Sequence, residues 1–590
     1  MKGCVMEMKL SRITIKNFRR IEFADIHLSP TTFIIGPNNI GKTTIIKAID
    51  ALLSLSNDKV KPEDYRILPD GNRTDTIEIC GYFTGIDPAI ANSRGFKGRV
   101  IDGTYIYKKT FSILSSNPEI STVQYDYKIT DEFKHVKKWS HLIEMGYSEQ
   151  DLKELLEASR ARNDALPSGW ELKIEGAVEW DFTSDPQEVK NPGGIPQIVA
   201  SKLPRLIHIP SYTNVSDIGK ADGKTLLGEC LGILFDDLLS QSELAAGIQS
   251  NLELLQREMS LETEGSMIFD LCQQVNNVIN EVFPNCGIKI SPSLKELSSV
   301  LKPQYTVEMY SNVNTDAERQ GTGLVRTGIF AMLRYHSHLK LAESLSSRPL
   351  LVAFEEPEIY LHPSAANLLR DTIYSLGESD QIICTTHSPW MIDLSKDWQS
   401  LTKLYLNSEN FTNAINYGLS EATRDLQADE REYLNMIKTF DDELSRIFFT
   451  EKCIVVEGDS EVIAIKNALK WLNPEVRKEI LSKVQIVKAR GKAAIIPVVK
   501  YLKALQIPFH VIHDKDSGTE GAERFNQPIL DAVGDPEKIS VLEECLENCL
   551  GYEAPTSNKP YRTYVETSKW TCYEDIPETW TNVLKKALGF

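Results

Sequence analysis

Glu457, Asp514 and Asp516 are carboxylates, and each directly follows or closes an apolar run that leads it out of a strand. Oxygen ligands of this kind select Mg2+ or Mn2+, ions that polarise a phosphodiester and acidify an attacking water. Far upstream, Gly36-Pro37-Asn38-Asn39-Ile40-Gly41-Lys42-Thr43, backed by Thr44, has the spacing of a phosphate-binding loop. Its glycines let backbone N–H groups turn inward around phosphates, Lys42 reaches the β- and γ-phosphates, and Thr43 ligates magnesium. The chain thus pairs the chemistry of an ATP site with that of a metal beside a phosphodiester.

Each set needs elements to aim it. Apolar residues alternate over 11–17, which reads as a half-buried strand, and Thr32-Phe33-Ile34-Ile35 reads as a buried one. Residues 44–53 have helical spacing, so the glycine loop sits between strand and helix as its chemistry requires. Leu350-Leu351-Val352-Ala353-Phe354 delivers Glu355, placed to hold magnesium, and Glu356, placed to orient or deprotonate the attacking water. Gln381-Ile382-Ile383-Cys384-Thr385-Thr386 delivers His387 towards the γ-phosphate. Between the glycine loop and the acidic strand, Gly321 and Gly323 open a helix, an arrangement that makes either an anion site or a simple cap.

The second set follows a charged, helical stretch. Cys453-Ile454-Val455-Val456 is a buried strand that ends at Glu457, and a helix follows it. A strand over 484–487, a helix over 493–505 and a strand over 509–513 then lead to Asp514 and Asp516. Repeated strand–helix units form a parallel sheet whose ligand site lies at the carboxyl ends of the strands. A single D-x-D is most often a surface loop; the preceding strand-exit glutamate makes that reading weaker. Lys483, Lys488, Arg490, Lys492, Lys500 and Lys503 accumulate in a stretch free of Asp and Glu, either a solvated basic face or an approach for a phosphate backbone.

Bulk properties bound these readings. A chain of 590 residues exceeds one core, so two or three domains are expected. The balance of 83 acidic against 65 basic residues, −18 net, excludes a surface coated in DNA-binding charge and leaves room for a local patch. No apolar run reads as a membrane span or signal peptide, so a cytoplasmic protein with no membrane partner is expected. The cysteines lack metal-site spacing and read as reduced thiols.

The order of phosphate loop, glycine-rich helix start, acidic strand and histidine resembles the ATP-binding-cassette ATPases. The opening Ile13-Thr14-Ile15-Lys16-Asn17-Phe18-Arg19 narrows the likeness to the branch of SMC, RecF and the OLD (overcoming lysogenization defect) nucleases. The later segment resembles the Toprim domain of topoisomerases, primases and OLD-type nucleases, with Glu457, Asp514 and Asp516 at its signature positions. The resemblance implies an α/β chain: an ABC/SMC-RecF-like ATPase domain over 1–216 and 301–421 with a helical insertion over 217–300, a linking helix over 422–450 and a parallel Toprim domain over 451–590. An apolar stripe from Ile268 to Phe283 in the insertion serves its own domain or a dimer interface.

The same resemblance implies Glu461 as an additional metal ligand and one glutamate of an acidic helix, Glu543 in preference to Glu547, as a ligand to a second metal. It also implies a lysine that steadies charge on the scissile phosphate, Lys559 with Lys569 as runner-up. It further implies ATP and Mg2+ or Mn2+ as cofactors, DNA as substrate, a homodimer or higher homo-oligomer, and a role in antiphage defence. Some relatives act with a helicase-like protein (as in Gabija systems) or a retron. Two rivals stay open: an ATP-driven DNA clamp or repair scaffold that does not cleave, and a topoisomerase- or primase-like enzyme.

Overall fold

The computed structural model describes residues 7–211, except 55–58, 157–159, 161, 162, 168 and 191–194, and residues 348–590, except 360 and 441–443. Between 212 and 347 it describes scattered positions only, so the stripe at 268–283 and the glycine-rich segment at 319–326 lie outside the described residues. The backbone divides into two compact units, Met1–Leu206 with Arg348–Phe590, and Ile207–Ser347. Within the second, Glu308–Tyr310 pairs antiparallel with Asn314–Asp316.

In the first unit, β1 (Lys9–Phe18), β2 (Ile21–His27) and β3 (Thr31–Ile35) precede helix α1 (Lys42–Leu53). Next come β4 (Thr76–Thr84), β5 (Thr104–Ser112) and β6 (Glu119–Gln124). Then follow β7 (Leu350–Glu355), β8 (Gln381–Thr386), β9 (Ser400–Leu406) and β10 (Thr412–Gly418). These are ten strands of a thirteen-stranded sheet and run in the order β6-β5-β4-β1-β2-β10-β9-β3-β8-β7. Strands β3, β7 and β8 are buried along their whole length, as expected of parallel strands covered on both faces. By contrast, β4 and β5 alternate between buried and part-exposed positions in the antiparallel wing. Gly81 in β4 admits α1, since a Cβ there would meet Leu52 Cδ2 at 2.7 Å.

Register carries the functional consequence. Thr386 of β8 pairs with Ile35 of β3, and Glu355 of β7 pairs with Thr385, all in parallel. The exits of three strands therefore fall level, directly before the glycine loop, Glu356 and His387.

After helix α2 (Ala428–Phe440), which lies within the stretch expected to link the domains over 422–450, a second sheet begins. It comprises β11 (Lys452–Val456), helix α3 (Asp459–Leu469), β12 (Val484–Lys488), helix α4 (Ile495–Ala504), β13 (Phe509–Asp514) and β14 (Ile539–Leu542). Its order is β12-β11-β13-β14, all parallel. The last strand went unread in the sequence because Ile539–Leu542 is only four residues long. The acidic helix expected around Glu543 is also corrected: Glu543 and Glu544 leave β14 in a bend, and the short helix α5 spans Leu546–Cys549. Helix α6 (Lys559–Thr567) docks on α3 through a buried Asn467 Nδ2 to Thr567 Oγ1 hydrogen bond of 2.7 Å.

Contacts among the described residues join β9 to the chain just before β11, and α2 to α4 of the second sheet. Lys403 Nζ in β9 donates to Thr450 O at 2.9 Å, Lys500 in α4 pairs with Glu430 in α2, and Lys438 Nζ lies 4.8 Å from the Tyr501 ring centroid.

Candidate functional sites

The glycine loop turns between β3 and α1 with Gly36 at φ 147°, Asn39 at 63° and Gly41 at 110°. A Cβ on Gly36 would also meet Leu404 O at 2.8 Å, so backbone conformation and close packing both require glycine there. Lys42 is buried and folds back into the loop, donating to Gly36 O and Pro37 O, each at 3.1 Å. Its Nζ lies 2.6 Å from His387 Nε2 and 4.0 Å from Glu356 Oε1, and His387 Nε2 lies 3.1 Å from that same carboxylate oxygen. Register thus gathers Lys42, Glu356 and His387 from separate strand exits. Glu355 is buried at the end of β7, Thr44 is buried in the first turn of α1, and Thr43 beside it is exposed.

Burial pulls the Lys42 ammonium below its usual range, opposed by Glu356 and Glu358. Burial, then Lys42, pulls the His387 imidazole down, opposed by Glu356. Glu356 holds φ 43°, an unusual conformation for a residue with a side chain, fixed by its N–H donating to Thr385 O at 2.9 Å. Sequence reasoning gave Glu358 no role. Its buried carboxylate accepts from Thr386 Oγ1 at 2.5 Å and His387 N at 3.3 Å, which sets the loop carrying His387. A cavity of about 840 Å³ beside the loop is lined by Arg20, Pro37, Asn39 and His387 and also by Gln506 and Pro508.

The second site grows from the parallel sheet. Val456 pairs with Ile512, so Glu457 leaves β11 beside the end of β13, where Asp514 stands. Glu461, in the first turn of α3, accepts from Gly458 N at 3.0 Å and turns back to the same edge. Asp516 sits at φ 54°, held by its N–H donating to Glu544 O at 3.0 Å and by Lys492 Nζ at 2.9 Å from Oδ2. Lys492 is buried and also donates to Lys515 O at 3.2 Å.

Of the two downstream glutamates, Glu543 is exposed, while Glu547 is 1% exposed and faces the cluster. A four-residue step along a bend and a short helix brings Glu547, not Glu543, to the acidic edge. Lys559 Nζ, at the start of α6, lies 3.7 Å from Glu547 Oε1, whereas Lys569 pairs with Glu566.

These carboxyls burden one another. Burial, then Asp514 and Asp516, pushes Glu457 up to about 7. Burial, with Glu457 and Glu547 adding, raises Glu461 to about 7. Burial, then Glu461, Asp516 and Glu547, raises Asp514 to about 7. Glu457 Oε2, Asp514 Oδ1 and Glu547 Oε2 are buried without a hydrogen-bond partner. Buried carboxylate oxygens so disposed are costly unless a cation meets them. As placed, no three Asp, Glu, His or Cys side chains among the described residues are set closely enough to enclose an ion. The donor set therefore fits a hard divalent cation by chemistry and unmet charge, with side-chain rotation needed to close on it.

The basic stretch reads differently in three dimensions. Lys483 pairs with Glu479, Lys488 with Asp459, Lys492 with Asp516 and Lys500 with Glu430, while Lys503 donates to Ala532 O. Exposed Arg490 makes no ion pair among the described residues. The continuous basic face is thus largely neutralised by local partners.

No helix among the described residues is long and apolar enough to cross a membrane. Residues 8–392 match the family described as an AAA ATPase domain. Residues 448–516 match the Toprim domain described as overcoming lysogenization defect protein-like. The Old nuclease of Escherichia phage P2 is 24% identical over 527 residues, covering 87% of this chain and 78% of the relative. The OLD nuclease of Thermus scotoductus is 24% identical over 581 residues, 94% of each. Endonuclease GajA of Bacillus cereus strain HuB5-5 is 24% identical over 593 residues, 89% of this chain and 79% of the relative. Level strand exits around a phosphate loop, a parallel sheet edged with carboxylates and these matches agree: the chain belongs to the AAA ATPase-domain family and carries behind that domain an OLD-like Toprim domain.

Proposed function

We propose that the protein is an ATP-regulated, divalent-metal-dependent DNA endonuclease, nicking or cutting both strands, that acts in the cytoplasm in defence against phage DNA. The observation that carries this reading is the crowding of Glu457, Glu461, Asp514 and Glu547 at one edge of a parallel sheet, with a buried, unpartnered carboxylate oxygen on Glu457, Asp514 and Glu547. Relatives named nucleases along most of the chain support it. A topoisomerase- or primase-like enzyme would share the metal fold, and a clamp would share the ATPase. A clamp has no use for costly buried like charge.

In this reading Glu457, Glu461, Asp514, Asp516 and Glu547 hold two cations, with Glu547 replacing Glu543. Bound there, Mg2+ or Mn2+ supplies Lewis-acid polarisation of the phosphodiester and a more acidic attacking water. Lys492 keeps Asp516 turned towards the site. Lys559, half-exposed beside Glu547, meets the charge that develops on the scissile phosphate.

Upstream, Gly36, Pro37, Asn38, Asn39, Gly41, Lys42, Thr43 and Thr44 cradle the triphosphate of ATP, and Glu355 serves its magnesium. Glu356 positions the attacking water and His387 contacts the γ-phosphate. The 840 Å³ cavity beside the loop shares a wall with Pro508, whose carbonyl accepts from Cys453 N at the start of β11. That shared wall supports coupling between nucleotide occupancy and the nuclease sheet. A homodimer or higher homo-oligomer, alone or with a helicase-like or retron partner, completes the reading.

Titrating ATP into a DNA-cleavage assay tests the regulation. Wild-type rates should change with ATP, and the Lys42→Ala protein should be indifferent to it. Equal ATP response in both proteins would remove the regulatory reading and leave the nuclease one standing.

A further inference from the structure

Arg99 is a buried guanidinium without a carboxylate. It is 3% exposed, with Nε donating to Gln124 Oε1 at 3.1 Å and Nη1 to Gly95 O at 3.2 Å. Its Nη2 is buried with no hydrogen-bond partner. The ionisable groups that act on it are Tyr105 and Tyr127, neutral at ordinary pH, and burial dominates by pulling its pKa down. Taking a charge out of water without a counter-ion is costly, so an unmet positive charge is built into this wing of the fold.

Arg94, part-buried, also has an unused donor: Nη2 donates to Leu155 O, and the Nε atom is buried without a hydrogen-bond partner. Both arginines line a cavity of about 380 Å³, together with Lys97 and Lys173. Lys173 donates to Leu156 O, and the acid on the lining, Glu175, is exposed. Leu155, Leu172 and Val178 supply apolar wall. This volume falls in the range of small-molecule sites and exceeds what a lone oxyanion fills. Two arginines and two lysines against a single acid make the lining cationic, which suits a phosphate, and the arginine side chains turn to bring their enclosed, unused N–H groups onto it.

We propose that this cavity binds an organic phosphate of nucleotide size, its phosphate taken by Arg94 and Arg99 with Lys97 at the mouth, and its body against Leu155 and Val178. The site shares no residue with the glycine loop or the carboxylate edge, and stands independently of the nuclease reading. The phosphate belongs either to a free nucleotide or to the 5′ end of a DNA strand.

Calorimetry on the full chain carrying Lys42→Ala, which silences the phosphate loop, tests the proposal in EDTA to prevent cleavage. The probes are inorganic phosphate, dAMP, and one single-stranded oligonucleotide with and without a 5′-phosphate. Arg99→Gln removes the buried charge, with circular dichroism confirming its fold. Lys97→Ala changes an exposed side chain that the fold does not need. We expect dAMP or the 5′-phosphorylated strand to bind more tightly than inorganic phosphate. Binding should weaken about tenfold in Arg99→Gln, weaken severalfold in Lys97→Ala, and fall with added salt. Tight dAMP binding assigns the site to free nucleotide; a preference confined to the 5′-phosphorylated over the 5′-hydroxyl strand assigns it to a DNA end. No binding at millimolar concentration, inorganic phosphate bound as tightly as dAMP and the phosphorylated strand, or binding that Lys97→Ala leaves unchanged would overturn the proposal.

Discussion

Without a cation, the carboxylate edge should destabilise the protein as pH rises, and a divalent ion should reverse the loss. Glu457, Glu461 and Asp514 stand at about 7 in the fold, against ordinary values near 4 in the unfolded chain. A carboxyl raised on folding does no harm below its unfolded value. Its cost grows as pH climbs through the window up to about 7 and is fully present above it. For one carboxyl moved from near 4.5 to about 7, the cost is about 3 kcal/mol. The three contributions overlap rather than add, because each group is raised partly by the others.

At about 2–4 °C per kcal/mol for a domain of this size, the melting temperature in Mg2+ should exceed that in EDTA by several degrees at pH 8. The gap should be small at pH 5, where protons compete with the metal. Taking the difference between Mg2+ and EDTA at each pH cancels every group remote from the site. Scanning calorimetry of wild type and Asp514→Asn is the assay. In EDTA at pH 8 the variant should melt higher than wild type, since it removes an unmet charge, and Mg2+ should add little to it. A Mg2+ gap equal at pH 5 and pH 8, or an Asp514→Asn protein that responds to Mg2+ like wild type, would refute the reasoning.

Lys492→Met breaks a buried ion pair and frees Asp516 from its strained conformation. It should cost about 3–5 kcal/mol in denaturant unfolding and weaken Mn2+ binding about tenfold by calorimetry. His510 is buried against Ser540 Oγ at 2.9 Å, and burial, with Lys452 and Lys586 adding, lowers it to about 4. A lowered histidine gives stability that is present above its unfolded value near 6.5 and is lost as pH falls towards 4. His510→Asn should therefore flatten that acid limb in pH-dependent denaturation, at some cost in stability at neutral pH. Lys559→Ala should lower cleavage by about a hundredfold, while Lys569→Ala, remote from the cluster, should leave gel-based rates within about twofold.

What the sequence revealed follows from how each element is built. Strand exits were legible because uninterrupted apolar runs, such as Cys453–Val456, are bounded by the polar residues they deliver, and parallel register then sets those residues level. The sequence favoured Glu543 over Glu547, whereas the fold leaves Glu543 exposed and buries Glu547 beside the other carboxyls; that difference depends on where β14 ends and how the chain bends before α5, which no periodicity over so few residues records. The basic stretch misled for a related reason. Charge composition is visible in sequence, but the partners of Lys488, Lys492 and Lys500 come from other elements, and Lys492 is buried rather than solvated. Arg99 carried no signal at all, since an arginine in a polar segment announces neither its burial nor the lack of an acid beside it. The antiparallel wing did carry a signal: β4 and β5 alternate residue by residue.

If the carboxylate edge cuts DNA with a bound divalent ion, cleavage must depend on both the metal and Asp514. The most direct measurement is cleavage of supercoiled and linear DNA by purified wild-type and Asp514→Asn proteins, in Mg2+ or Mn2+ and in EDTA. Wild type should give nicked or linear product with metal only, and Asp514→Asn should lose at least about a hundredfold. Cleavage that survives in EDTA, or that Asp514→Asn performs at the wild-type rate, would contradict this dependence.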